Sequence, residues 1–288
     1  MSKSFYQSLG LTKTNYHTHT NFCDGKDSPR EMVLTALEKN FNILGFSGHS
    51  MYPFAVDWSV GAKNHGEYAD QINQLKVEFK DRIQILLGFE ADYFANLCTP
   101  VVEKYKDFNI DYLIGAVHFV PGNGGFFEAD GSLDSILDGI KKYFKGNKKL
   151  AVQTYFEYQR EMLSKGNFHI IAHPDLISKQ NKFNDLFNPK DSWYKKELKL
   201  TAKAIAKNGC IAEINTGAIA RGYLDTPYPS TYFLELLKEN NVPVTINSDC
   251  HNKDYLDFWF EEGISYIKKA GYNELHFITT GGVKSQKI

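Results

Sequence analysis

The 288-residue chain has only four cysteines, Cys23, Cys98, Cys210 and Cys250, and no two of them form a C-x-x-C pair. That leaves nothing from which to build a disulfide framework or a cysteine-based structural zinc site. An excess of one charge is also missing, since 33 Lys and Arg face 34 Asp and Glu, for a formal net charge of -1. Without a basic excess to neutralise phosphates, the composition argues against a dedicated nucleic-acid binder. The pairs Lys141-Lys142 and Lys148-Lys149 read as solvated helix surface. No apolar run approaches membrane-spanning length, and the opening MSKSFYQSLGL lacks the apolar core of a signal peptide. A soluble, cytoplasmic protein is expected, with no membrane and no protein partner evident. A Gly-rich nucleotide loop is absent too. Gly122-Asn123-Gly124-Gly125 lacks the G-x-G-x-x-G spacing and reads as a turn.

What the chain does have is alternation. Short apolar or β-branched runs are expected as strands near Asn15–His19, Ile43–His49, Ile83–Glu90, Tyr112–His118, Phe168–His173, Cys210–Asn215 and Val242–Asp249. Amphipathic segments separate them. Ser28-Pro29-Arg30-Glu31 combines an N-cap, a Pro at the first helical position and a capping-box Glu, opening a helix to about Asn40. Further helices are expected over Asn64–Lys80, Lys148–Lys165, Trp193–Asn208, Ser230–Asn240 and Asp254–Ala270. Repeated strand–helix alternation implies parallel strands with right-handed crossovers, and nearly continuous apolar strands imply a sheet covered on both faces. The expected fold is a single α/β barrel domain spanning residues 1–288, with an open doubly wound sheet as the alternative. A last strand near His276–Thr280 has no assigned place in it.

The polar residues that close these strands carry the chemistry. In chain order they are His17 and His19, His49, Glu90, His118, His173, and then Asp249 and His251. Strand C-termini of an α/β barrel share one rim, so these side chains converge there. Alternation along a strand points His17 and His19 to the same side, and Asp249 with His251 if the strand reaches that far. Imidazoles and carboxylates are ligands for zinc, iron and manganese, and eight candidates exceed the roughly four that one tetrahedral zinc uses. A site for two or three divalent ions, bridged by Glu90, accounts for them better. Closely spaced ions suit phosphate-ester hydrolysis, with a small phosphate monoester as substrate. His65, His169 and His276 lie off the pattern and read as structural; Cys23 and Cys250 flank ligand segments and read as packing residues.

Arginine is scarce, with Arg30, Arg82, Arg160 and Arg221 the whole set. Arg221 ends the loop Asn215-Thr216-Gly217-Ala218-Ile219-Ala220 after the sixth strand, where a guanidinium can clamp a phosphate. Arg160 lies within a helix and offers either a second phosphate contact or an ion pair with Glu157 or Glu161. The aromatic segment Met51–Trp58, with Tyr52 and Trp58, follows His49 and reads either as a wall over the site or as packing on the helix ring.

These residues in this order resemble the PHP (polymerase and histidinol phosphatase) superfamily. The matching pieces are Tyr16-His17-Thr18-His19-Thr20, Ser47-Gly48-His49-Ser50, Gly88-Phe89-Glu90, Val117-His118-Phe119, Ala172-His173-Pro174-Asp175 and Asn247-Ser248-Asp249-Cys250-His251. Within it the likeness is to the stand-alone histidinol-phosphate phosphatase branch. The resemblance implies a distorted seven-stranded β/α barrel, up to three ions (zinc, iron or manganese), and hydrolysis of L-histidinol phosphate in histidine biosynthesis. It implies that His17, His19, Glu90 and Asp249 hold one ion and Glu90, His118 and His173 a second. His49, His251 and Asp24 would hold a third, with Asp249, Glu90 and Arg221 at the chemistry and Arg221, Arg160, Tyr52 and Trp58 about the substrate. Two positions depart from the pattern: Gly25 stands where a further His is often found, and Gly48 where a carboxylate often precedes the second-motif His. Other PHP-type phosphoesterases, a metal-dependent amidohydrolase and a non-catalytic barrel are the rival readings.

Overall fold

A computed structural model describes residues 5–50, 52–54 and 56–288. The first four residues, Met51 and Ala55 lie outside it, so part of the N-terminal reading and part of the aromatic segment are untested there. The strands are β1 Thr14–Asn15, β2 Ile43–Ser50, β3 Gln84–Asp92, β4 Ile114–Ala116, β5 Phe119–Gly122, β6 Gly125–Glu128, β7 Ile170–Ile171, β8 Ile211–Asn215, β9 Val244–Asn247, β10 Glu274–Thr279 and β11 Gly282–Lys287. Seven of them form one sheet in the order β1-β2-β3-β4-β7-β8-β9. All six pairings in it are parallel. The sheet curls until its edges meet. Thr18 bridges Cys250 in parallel, the His19 amide donates to the Cys250 carbonyl at 2.9 Å, and the Cys250 amide donates to that of His17 at 3.1 Å. The nearly closed seven-stranded barrel matches the expected class.

Each of the seven expected strands is present, and the helices follow. Ser28 caps the helix Pro29–Glu38 with a complete capping box and Pro at its start. The helices Lys148–Lys165 and Ser192–Asn208 lie where the periodicity places them. Three features differ from the expectation. The helix expected from Asp254 begins only at Phe260, because Trp259 adopts a left-handed φ of 63° and Lys253–Tyr255 forms a separate turn. A helix over Leu133–Phe144 and the hairpin β5–β6 were not anticipated. The late strand at His276–Thr280 exists as β10, but it pairs with β11 outside the barrel sheet.

Two separate cores follow from strands that are buried on both faces. The larger lies between sheet and helices. The smaller fills the barrel: Tyr16, Ile43, Leu86, Ile114, Ile170 and Ile211 meet there, with Ile278 of β10 joining them. Tyr16 ties β10 in place, its hydroxyl donating to the Ile278 carbonyl at 2.9 Å and accepting from the Ile278 amide at 2.8 Å. Tyr112 fills the middle of the barrel. A Cβ on Gly45 or Gly88 would lie 2.5 or 2.6 Å from its ring system, so the inward faces of β2 and β3 need glycine to admit it. Continuing by twos along those faces leads from Ile43 and Gly45 to His49, and from Leu86 and Gly88 to Glu90. His49 and Glu90 are register partners. The packed interior thus ends in ligand-bearing side chains at one rim.

Candidate metal centre

At that rim the structure brings together every metal-ligand candidate named from the sequence. Donor atoms fall into four overlapping groups: His17, His19 and Asp249; His17, Glu90 and His173; His49, Glu90 and His118; and His19, Asp24, His49 and His251. Within each group the donor atoms lie within 4.8 Å of one another. Glu90 sits in the middle. Its Oε2 is 2.9 Å from His49 Nδ1 and 3.1 Å from His17 Nε2, while Oε1 is 3.1 Å from His173 Nε2 and 3.6 Å from His118 Nε2. Asp249 Oδ1 lies 3.3 Å from His19 Nε2, and Asp24 Oδ2 lies 3.0 Å from His251 Nε2.

Two backbone details aim these groups. His173 and Asp249 both have positive φ, 23° and 49°. Such conformations are costly for non-glycine residues and persist where the surroundings over-determine them. Strand β9 ends at Asn247, so Asp249 and His251 reach the rim through this turn, not through strand alternation. Gly25 and Gly48, the two departures from the family pattern, are enforced by packing. A Cβ at 25 would lie 2.5 Å from the backbone of His19 and Thr20, and one at 48 would lie 2.6 Å from Val60 Cγ2. At 25 the obstacle is backbone and no side chain fits, whereas at 48 the Val60 side chain would have to give way; Asp24 occupies the space beside His19 and His251 instead.

The donor set fits divalent ions. His17 Nε2, His19 Nε2, His49 Nδ1 and Glu90 Oε2 are buried without a hydrogen bond, although they face one another across about 3 Å. Buried polar atoms cost free energy when unpaired, and a shared cation satisfies all of them at once. The electrostatics show how tightly these groups are coupled. Burial opposes protonation of His17, His49 and His118, yet the neighbouring carboxylates outweigh it and raise all three above the ordinary imidazole value, protons that a bound cation would displace. Burial opposes ionisation of Glu90, yet His17, His49 and His118 outweigh it and hold that carboxyl well below its ordinary range. Burial and the neighbouring His251 and His49 push His19 down to about 3, leaving a neutral imidazole with a free lone pair.

The centre opens into a cavity of about 380 Å³ whose walls include Trp58, Phe119, Lys179 and Arg221. Arg221 stands beside Asp249, with Nη2 3.0 Å from Oδ2 and Nη1 donating to the Asp249 carbonyl at 3.0 Å. Trp58 meets His49 edge-on at 5.2 Å between centroids. Tyr52 lies behind it, packed on Trp58 at 4.6 Å and Phe119 at 6.2 Å, so the segment serves as both wall and packing. Arg160 is the exception. Its guanidinium donates to Glu197 at 2.8 Å and Thr201 at 3.0 Å, on the helix Ser192–Asn208, and it is not among the cavity-lining residues. The sequence order placed it near no particular strand end, and neither Glu157 nor Glu161 is its partner. His65 and His169 are structural as expected: His65 packs on Phe89, and His169 Nδ1 accepts the Leu113 amide at 3.0 Å.

Sequence reasoning missed several residues of the site. Glu213 lies inside the barrel with Oε1 2.7 Å from His17 Nδ1. Asp92 Oδ1 accepts the His118 amide at 3.0 Å. Glu128, the last residue of β6, and Asp130, just beyond it, line the cavity with Lys179. For Glu213 and Asp92 the signal existed, a carboxylate inside or at the end of an apolar strand. For the cavity wall it did not, because the hairpin that positions it was not foreseen.

The PHP domain model matches residues 15–217, most of the chain and all but the last two of the expected ligands. The chain belongs to the PHP domain family. Among curated relatives, the histidinol-phosphatase of Lactococcus lactis is 26% identical over 96% of this chain and 97% of its own length. A Schizosaccharomyces pombe protein described as "Probable histidinol-phosphatase" is 25% identical, covering 92% and 89% of the two chains. The crystal structure of the Lactococcus lactis histidinol phosphate phosphatase, complexed with zinc, L-histidinol and phosphate, shares the PHP fold. It superposes with a TM-score of 0.70 at 23% identity, covering 95% of this chain and 99% of that one. Among the described residues, no helix of this PHP protein is long and apolar enough to cross a membrane.

Proposed function

We propose that this PHP protein is a metal-dependent histidinol-phosphatase that hydrolyses L-histidinol phosphate to L-histidinol and phosphate. The observation that carries the reading is the convergence of His17, His19, His49, Glu90, His118, His173, Asp249 and His251 at one rim, beside a cavity that Arg221 lines, in a chain that matches a curated histidinol-phosphatase over nearly its whole length. Three ions fit the donors. His17, His19 and Asp249 with Glu90 would hold one, Glu90 with His118 and His173 a second, and Asp24, His49 and His251 beside His19 a third. Divalent ions there, whether zinc, iron or manganese, supply Lewis acidity toward the phosphoryl group and acidify the attacking water.

The remaining work falls to the chain. Arg221 is already oriented by Asp249, and its guanidinium is placed to hold a phosphoryl oxygen as charge develops on it. Glu90 and Asp249, kept ionised by their histidine and arginine neighbours, place the negative charge that retains the cations. Trp58 and Phe119 exclude water from one side of the cavity and offer a flat apolar wall to a planar ring.

The test is a phosphatase panel on the purified metal-loaded protein. Preference for L-histidinol phosphate over nucleoside monophosphates is the expected result, and equal turnover of generic phosphate esters would overturn the substrate assignment. Replacing both His17 and His19 by Ala should abolish bound metal and turnover together. Full activity in that double variant would remove the metal mechanism.

A further inference from the structure

Glu213 is a fully buried carboxylate on the inward face of β8. Burying such a charge costs several kcal/mol unless partners offset it, and here they do. Oε1 accepts from Asn247 Nδ2 at 3.0 Å and faces His17 Nδ1 at 2.7 Å. Oε2 accepts from Asn215 Nδ2 at 3.0 Å and from the His173 backbone amide at 2.9 Å. An ionised carboxylate has only acceptors, so the shared proton sits on His17 Nδ1. The lone pair of a neutral His17 is then at Nε2, the atom 3.1 Å from Glu90 Oε2 and 3.5 Å from Asp249 Oδ1. The same carboxylate holds the His173 amide, whose residue adopts the unfavourable φ of 23°.

We propose that Glu213 is a positioning residue of the metal centre, fixing the tautomer of His17 and the backbone of His173 so that ligands from opposite sides of the barrel meet at Glu90. It touches neither substrate nor the reacting atoms. The inference rests on the metal-centre reading above but not on the identity of the substrate.

Glu213→Gln tests it with almost no change in volume. An amide nitrogen in place of Oε1 opposes the Asn247 donor and can be accepted only by His17 Nδ1, which drives the His17 proton to Nε2. In place of Oε2 it opposes both the His173 amide and Asn215. Zinc affinity, read by competition with a chelator, should fall by about 10–100-fold, the usual effect of removing an outer partner of a ligand. In a His17→Ala background the same substitution should cost much less, because its main route of action is gone. Nitrogen-15 spectra of the zinc-loaded wild type should show His17 protonated at Nδ1.

Affinity within about twofold of wild type in Glu213→Gln, where a 10-fold loss is expected, would overturn the proposal. So would an equal loss in the His17→Ala background, or a His17 proton on Nε2. If Glu213→Gln fails to fold, the wild-type spectrum decides alone. None of these readouts uses histidinol phosphate, so a protein that does not hydrolyse it would defeat the substrate assignment and leave this inference standing.

Discussion

Lys13 and His17 flank β1, and both are buried, yet Lys13 Nζ and His17 Nε2 have opposite fates. At the N-terminal end of the strand, Lys13 Nζ meets Asp257 Oδ2 at 2.6 Å and the Lys39 carbonyl at 3.0 Å, and it sits 4.6 Å over the Phe41 ring. At the C-terminal end, His17 Nε2 is buried with no hydrogen bond at all. The same division runs round the barrel. One end is closed by β10, by Tyr16 and by an interlocked Lys13–Asp257–Lys39 group, with Tyr6 Oη and His276 Nδ1 as scattered unpaired atoms; at the other, His17 Nε2, His19 Nε2, His49 Nδ1 and Glu90 Oε2 lie together unpaired. A protein has little stability to spare, and unpaired buried groups cost it. The closest grouping of that cost is at the rim proposed as the metal centre.

Gly25→Ala is the sharpest way to break the contrast at the rim. The added methyl would lie 2.5 Å from backbone atoms of His19 and Thr20, which cannot swing aside as a side chain can. His19 and Asp24 would have to move together. A displacement near 1 Å in such a site costs about 100-fold in rate. Turnover should fall by that order, and metal analysis should show the ion held by Asp24, His49 and His251 lost first. Retained stoichiometry and rate would mean that the loop shifts freely and that the rim is not over-determined.

Asp257→Asn probes the opposite end and should do the reverse. Burial opposes ionisation of Asp257, but hydrogen bonds from Lys13 and Lys39 outweigh it and lower its pKa. A group depressed in the folded state adds stability that is full above its ordinary carboxylate range and is lost as pH falls through the folded value. Unfolding at neutral pH should therefore be easier by about 1.5–3 kcal/mol in the variant, the worth of hydrogen bonds to a charged group. The gap from wild type should close as the solution is acidified, while turnover at neutral pH stays unchanged. A variant that loses activity at full stability would erase the division between the two ends.

The division also explains what the sequence made legible. Strands buried on both faces are apolar runs, and a His or Glu that ends such a run stands out; hence β2 with His49 and β3 with Glu90 could be read directly. The candidate ligands after β9 were legible as residues but not as geometry, because Asp249 reaches the rim through a left-handed turn that alternation does not describe. Glu213 was passed over since it lies inside an apolar run, Ile211–Asn215, and its role depends on partners from β1, β7 and β9 that only the closed barrel assembles. The helix Leu133–Phe144 carried a readable signal, with Leu133, Ile136, Leu137, Ile140 and Phe144 on one face and Ser132 as its cap. Its separation from the helix Lys148–Lys165 rests on left-handed Lys145 and Gly146.

The two arginines give the most discriminating comparison. Both were candidates for holding phosphate, but only Arg221 lines the cavity, and Arg160 joins two helices on the outside of the barrel. Arg160→Met keeps the apolar stem and removes the bonds to Glu197 and Thr201. Glu197 still accepts from Gln153 at 3.0 Å, so the buried carboxylate is not left bare. The loss in stability should be about 1.5–3 kcal/mol, the worth of hydrogen bonds to a charged group. The Michaelis constant for the phosphate ester should stay at the wild-type value, whereas Arg221→Met should raise it and lower turnover, since its guanidinium lines the cavity beside Asp249 and, on the proposed reading, would meet the charge that develops on the phosphoryl group. A raised Michaelis constant in Arg160→Met with its stability intact would mean that the helix pair Lys148–Lys165 and Ser192–Asn208 sets the shape of the cavity, and the boundary between scaffold and site would have to be drawn further out.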